Sequence, residues 1–130
     1  MRTDGAAGPA EKITGAVTRY LHAVGNGTAD DIASCYAEDG TLEDPVGSEP
    51  RRGRAAIHKF YSALDGMRRY TELLTIRVAG DSAAFHFLVR TELGDRTFEI
   101  EPIDVMTFDE EQRITSMRAF WSGDDLREAR

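Results

Sequence analysis

The apolar positions in the first half of the chain repeat at helical spacing, and those in the second half alternate. From Lys12 to Val24, the residues Ile13, Val17, Tyr20, Leu21 and Val24 recur three and four apart, predicting a first helix that "GNG" at 25–27 closes. Thr28 with Asp31 three residues on is an N-terminal capping pattern, and Ile32, Cys35 and Tyr36 form the stripe of a short second helix ended by "EDG". "GTLED" at 40–44 reads as a short strand in which Leu42 and Asp44 share one face and Thr41 and Glu43 the other. Pro45 breaks the strand. Ala55 to Leu64 then carries Ile57, Phe60, Tyr61 and Leu64 on one stripe, predicting a third helix.

Beyond this point the period is two. Segments 70–78, 82–92, 97–108 and 114–122 are rich in Val, Ile, Thr and aromatics, and "AGDS", "LGDR" and "DEEQR" between them read as hairpin connections. Helices gathered before a run of adjacent strands predict an α+β domain in which helices cover one face of an antiparallel sheet. The expected organisation is a loose N-terminus over 1–10, one domain over 11–124, and a C-terminal tail over 125–130.

The third long strand contains an anomaly. Phe98, Ile100, Pro102, Asp104, Met106 and Phe108 share one face, which is apolar except for Asp104. Either a shift of register turns this carboxylate to solvent, or it meets a buried cation, for which Arg118 is the candidate, or it takes up a proton because desolvation disfavours its charge. In the last case it is a hydrogen-bond donor. Phe85 and Phe87 on the second strand, with Met117 and Trp121 on the fourth, offer an apolar wall. Tyr20, Tyr36 and Tyr61 bring phenols inward on the helical stripes. Each hydroxyl needs a partner, found either in a separate backbone carbonyl or in another of the three.

Composition narrows the setting. At 130 residues with a formal charge of -7, the chain lacks the basic surface that a nucleic acid or an anionic membrane requires. Cys35 is alone, which excludes an internal disulfide and suggests a small buried thiol. His22, His58 and His86 lack ligand-like spacing, so a metal site is not expected. "MRTDGAAGPA" has no apolar signal core, and the expected location is the cytoplasm.

The stretches "VTRYLHAV", "SCYAEDGTLEDPVGSEPRRG", "AIHKFYSAL" and "IDVMTFDEEQRITSMRAFWS" together make the chain resemble the bacterial Δ5-3-ketosteroid isomerases. The most specific motifs are "EDPVGSEP" and "DVMTFDE" with the following "AFW"; "YAEDG" is shared by relatives with other activities. The resemblance implies a cone-shaped fold of the nuclear-transport-factor-two-like (cystatin-like) kind, with three N-terminal helices packed on a curved, mainly antiparallel sheet around an apolar cavity. It also implies a homodimer that works without a cofactor. By position in the matching motifs, Asp44 in "EDP" takes the role of general base, Tyr20 in "RYL" that of oxyanion-hole tyrosine, and Asp104 in "IDVM" that of protonated oxyanion-hole acid. Tyr61 in "KFY" and Tyr36 in "CYA" match the tyrosines that support Tyr20. Phe120 stands where related sequences often have tyrosine.

The implied reaction moves the double bond of a 3-oxo steroid from the 5,6 to the 4,5 position by proton transfer through a dienolate, with Phe85, Phe87, Met117 and Trp121 holding the rings. The alternatives are another enzyme on the same fold, such as a polyketide cyclase, dehydratase or epoxide hydrolase, and a non-catalytic steroid carrier.

Overall fold

A computed structural model describes residues 8–129. Helix α1 (Pro9–Asn26) and helix α2 (Ala29–Ala33) lead into strands β1 (Tyr36–Glu43) and β2 (Arg51–Arg52), followed by helix α3 (Arg54–Tyr61). The remainder is strands β3 (Arg68–Ala79), β4 (Ser82–Leu93), β5 (Arg96–Ile100), β6 (Ile103–Phe108), β7 (Ile114–Phe120) and β8 (Arg127–Ala129). Short 3-10 turns follow α3 at Ser62–Leu64 and precede β8 at Gly123–Asp125. Residues 1–7 of the expected loose N-terminus lie outside the described residues, whereas Pro9 already opens α1 at a position that needs no backbone N–H.

The eight strands form one mixed sheet. Its β3–β4–β6–β7 part is the expected antiparallel meander, while β1 joins β7 in parallel. The sheet curves where register shifts interrupt the ladders, between Leu73 and Thr75 on β3 and between Thr107 and Phe108 on β6. One expected strand, 97–108, is divided into β5 and β6 because Pro102 has no N–H to give to a ladder. Its register along β4 continues across the break, with His86 opposite Ile103 and Val89 opposite Ile100. The inward parity of Ile100, Pro102, Asp104 and Met106 therefore survives the interruption.

The helices cover the concave face, and Val17, Ile32, Ile57, Met106, Ile114 and Met117 are buried between the layers. Arg69 fixes the end of α1 by donating to the carbonyls of Val24 (2.7 Å) and Gly27 (2.6 Å), and joins it to the turn after α3 through Leu64 (2.6 Å). Thr71 Oγ1 donates to the Leu21 carbonyl at 2.8 Å, and a Cβ at Gly25 would come within 3.1 Å of the same oxygen. Helix α1 is thereby held close to β3.

Three expectations are corrected. Tyr36 opens β1 rather than closing a helix: α2 stops at Ala33, the Tyr36 carbonyl receives Arg54 Nε and Nη2 (2.9 and 2.7 Å), and Ile114 N donates to the Cys35 carbonyl. These pairings from distant residues override the helical stripe. Cys35, at the junction, is only partly buried. The C-terminal tail is ordered into β8 by antiparallel pairing with β5.

Candidate active site

A cavity of about 510 Å³ opens between the helices and the concave sheet face, within the size range of small-molecule sites. Tyr20, Tyr61, Asp104, Asp44, Phe87 and Trp121 all line it. Tyr36 is buried behind it, and so are Phe85 and Met117, which face inward as expected but belong to the core rather than to the cavity wall.

Asp104 is 1% exposed, opposite Phe85 on β4 and Ala119 on β7. Its Oδ1 has no hydrogen-bond partner. The cation considered for it is on the other face of the sheet: Arg118 is exposed and pairs with Glu43 at 3.1 Å. With no positive charge to offset burial, desolvation drives the Asp104 carboxyl well above the usual carboxylate range, and the charge of Asp44 adds to the shift. Burial therefore favours the protonated carboxyl at Asp104, the form that carries an O–H.

The three phenols form one chain. Tyr36 Oη lies 2.7 Å from Tyr61 Oη, which lies 2.8 Å from Tyr20 Oη. All three side chains are fully buried, and desolvation raises the pKa of each well above the ordinary phenol value, so each keeps its proton. Edge-on contacts of the Tyr20 ring with both others fix the cluster. The reading that the phenols bond one another thus holds over separate carbonyl partners.

Asp44 follows directly on β1. Leu42 is buried, whereas Glu43 turns outward to Arg118 and accepts the Gly47 N–H at 2.9 Å. Val46 N donates to the Ala119 carbonyl at 2.8 Å, docking the turn after Asp44 onto β7. Trp121 Nε1 donates to Asp44 Oδ1 at 2.6 Å. Desolvation raises the Asp44 pKa, and the indole hydrogen bond and the charge of Arg51 oppose that rise. Trp121 was expected only as a wall; its bond to a residue 77 positions away has no sequence signal.

Sequence reasoning did not assign several other lining residues. Val89, Ile100 and Pro102 continue the inward parities already read, and Phe60 and Leu64 lie on the stripe of the expected third helix, so a signal for them existed. Leu126, in the expected tail, had none. Phe120 is exposed on the outer face, so the hydroxyl it lacks relative to tyrosine is no part of the cavity. Among the described residues no group of three or more His, Cys, Asp or Glu side chains is placed to hold a metal ion, and no helix is long and apolar enough to cross a membrane. His58 and His86 instead pair with Asp30 and Glu101.

Residues 17–117 match the SnoaL-like domain family. A steroid Delta-isomerase from Nocardioides simplex is 54% identical over 115 residues, covering 88% of this chain and 94% of that protein. Among solved structures, SalBIII, an epoxide hydrolase/cyclase-like enzyme of pyran ring formation in the polyether salinomycin, superposes with a TM-score of 0.80 at 28% identity over 90% of this chain and 95% of that one. RV0760c from Mycobacterium tuberculosis gives the same TM-score of 0.80 at 19% identity, over 91% and 96%, and supports the fold alone.

Proposed function

The chain belongs to the SnoaL-like domain family, and from that premise we propose that it is a steroid Δ-isomerase, converting Δ5-3-ketosteroids to their Δ4 isomers without a cofactor. The observation that carries this reading is one cavity holding two acids in opposite conditions: Asp104, buried and uncompensated, and Asp44, hydrogen-bonded at its edge.

The substrate enters carbonyl first, its oxygen against Tyr20 and Asp104. Ionised Asp44 takes a proton from carbon 4, and the electron pair of that C–H bond moves through the ring to leave a dienolate with its charge on the oxygen. Asp44 then returns the proton to carbon 6, forming the conjugated 4-ene ketone. Both donors bond more strongly to the dienolate oxygen than to the neutral carbonyl, so they lower the barrier rather than only tightening binding. Tyr36 donating to Tyr61, and Tyr61 to Tyr20, leaves the Tyr20 proton free for the substrate and makes it a stronger donor. Ketosteroid isomerase is itself the reference case of an aspartic acid held neutral by an apolar site, so this role of Asp104 is carried over as well as read from its burial.

The Trp121 indole stabilises Asp44 in its ionised form and holds the carboxylate against β7. Phe87 and Trp121 flank the apolar rings, and the exclusion of water there strengthens each polar contact. The cyclase and hydrolase alternatives have weaker support, resting on a 28% identical structure against a 54% identical isomerase.

A kinetic trace with 5-androstene-3,17-dione tests the reading: the conjugated-enone absorbance should rise without added cofactor. Saturable binding with no absorbance change would make the protein a carrier instead. We assign homodimer formation to the outer sheet face, where Ile103 and Phe120 sit opposite each other on β6 and β7 at 48% and 43% exposure. Light scattering should give twice the chain mass, and Ile103→Glu with Phe120→Glu should halve it.

A further inference from the structure

The chain after β7 takes a detour. Ile103 is opposite Phe120 and Glu99 is opposite Arg127, so while the β6–β5 edge advances four residues the C-terminal chain spends seven. The surplus forms the turn at Gly123–Asp125, closed by Ser122 N donating to Asp125 Oδ2 at 2.7 Å. Both ends of the detour meet the cavity: Trp121 lines it before the turn and Leu126 after it.

Leu126 lines the cavity yet is 49% exposed. Carrying the antiparallel register one step past Arg127 sets it opposite Ile100, another lining residue. Strand β4 gives the depth of that position. Phe85 is opposite Asp104 and Val89 is opposite Ile100, which puts Leu126 about 13 Å along the strand from the buried acid. A ligand whose oxygen reaches Asp104 meets Leu126 only with its far end.

Little apolar burial holds this segment in place. The turn has no buried residue and β8 is largely exposed. Besides the short ladder to β5, its attachments are ion pairs. Arg127 Nη2 reaches Glu101 Oε2 at 2.8 Å and Glu99 Oε1 at 3.2 Å, and Arg96 holds Glu128 through Nη2 at 2.9 Å. A segment of this kind opens at low cost compared with the core.

We propose that residues 122–129 form a strap across the open end of the cavity, in which Leu126 determines preference for long substrates and Arg127 positions it. The inference rests on the isomerase reading for its substrate. A four-ring steroid ketone reaches from Asp104 to the strap; a two-ring β,γ-unsaturated ketone, which carries the same reacting atoms, stops short of it.

The test compares the two substrates. For Arg127→Gln and for Leu126→Ala, KM for the four-ring ketone should rise about three- to fivefold while KM for the two-ring ketone changes less than about twofold, the loss falling on KM rather than kcat. Arg127→Lys should recover part of the loss. Equal changes for the two substrates, or none for the four-ring one, would overturn the strap. If wild-type protein turns over neither ketone, the isomerase reading fails, and equilibrium binding of both still decides the strap: selective weakening of the four-ring ligand in the variants supports it, and parallel behaviour refutes it. Circular dichroism melts confirm that each variant is folded.

Discussion

Asp104 is sealed among β4, β6 and β7 with an oxygen that nothing satisfies, whereas Asp44, which lines the same cavity and is only partly buried, has an indole N–H on one oxygen and a cation nearby. Burial pushes both acids the same way. At Asp104 only the charge of Asp44 accompanies it, and that adds to the shift; at Asp44 the Trp121 bond and Arg51 counter it. The difference suits the proposed chemistry, which needs one acid that keeps its proton in order to donate and one that releases it more readily in order to accept. A contrast in structure runs along the cavity as well. Its closed end is a network of mutually bonded buried phenols, and its open end is bounded by a turn and a three-residue strand.

The contrast breaks most severely at Asp44. Asp44→Asn keeps the shape and the indole contact but has no basic oxygen, so steroid turnover should fall by about 10²–10⁴-fold while binding persists. A near-normal rate in the enone absorbance assay would remove Asp44 from the role of base. Next is the closed end. Tyr20→Phe should lower kcat by about 10²–10³-fold with little change in KM, the signature of an interaction made chiefly to the developing oxyanion.

Exchanging the indole sharpens the comparison at smaller amplitude. The Trp121 bond lowers the Asp44 pKa, so Trp121→Phe should raise it and move the acid limb of the kcat/KM profile to higher pH. A limb that stays in place would mean that the indole only walls the cavity. The smallest effect is on stability. The folded pKa of Asp104 lies above its ordinary value of about 3.9. Between the two values the folded state binds more protons than the unfolded one, so stability declines as pH rises through that window and then levels off. Asp104→Asn cannot lose a proton and should flatten this part of the curve, as urea denaturation at a series of pH values would show.

Periodicity conveyed much of this, and its successes and failures have identifiable causes. Asp104 was legible because alternation is a property of backbone pleating, which the missing N–H at Pro102 interrupts without shifting. Asp44 was legible for the same reason, one residue beyond a strand whose Leu42 faces the core. Tyr36 was assigned to the correct network on the wrong element, since a stripe of Ile32, Cys35 and Tyr36 carries no information about a β7 partner far along the chain. Parity also could not separate cavity from core: Phe85 and Phe87 point the same way with rings 5.2 Å apart, yet only Phe87 reaches open space. The Trp121–Asp44 bond and the place of Leu126 depend on how distant segments converge, which no local pattern encodes.

The interruption at Glu101–Pro102 also bears on how such a chain tolerates changes in length. Since β5 and β6 keep one register along β4, a residue added at the joint has to leave the ladder as a bulge if Asp104 is to stay opposite Phe85. A residue taken into the ladder instead would exchange the faces of everything on one side of it, exposing Asp104 and turning Ile103 inward, with every cavity-lining side chain still present in the sequence.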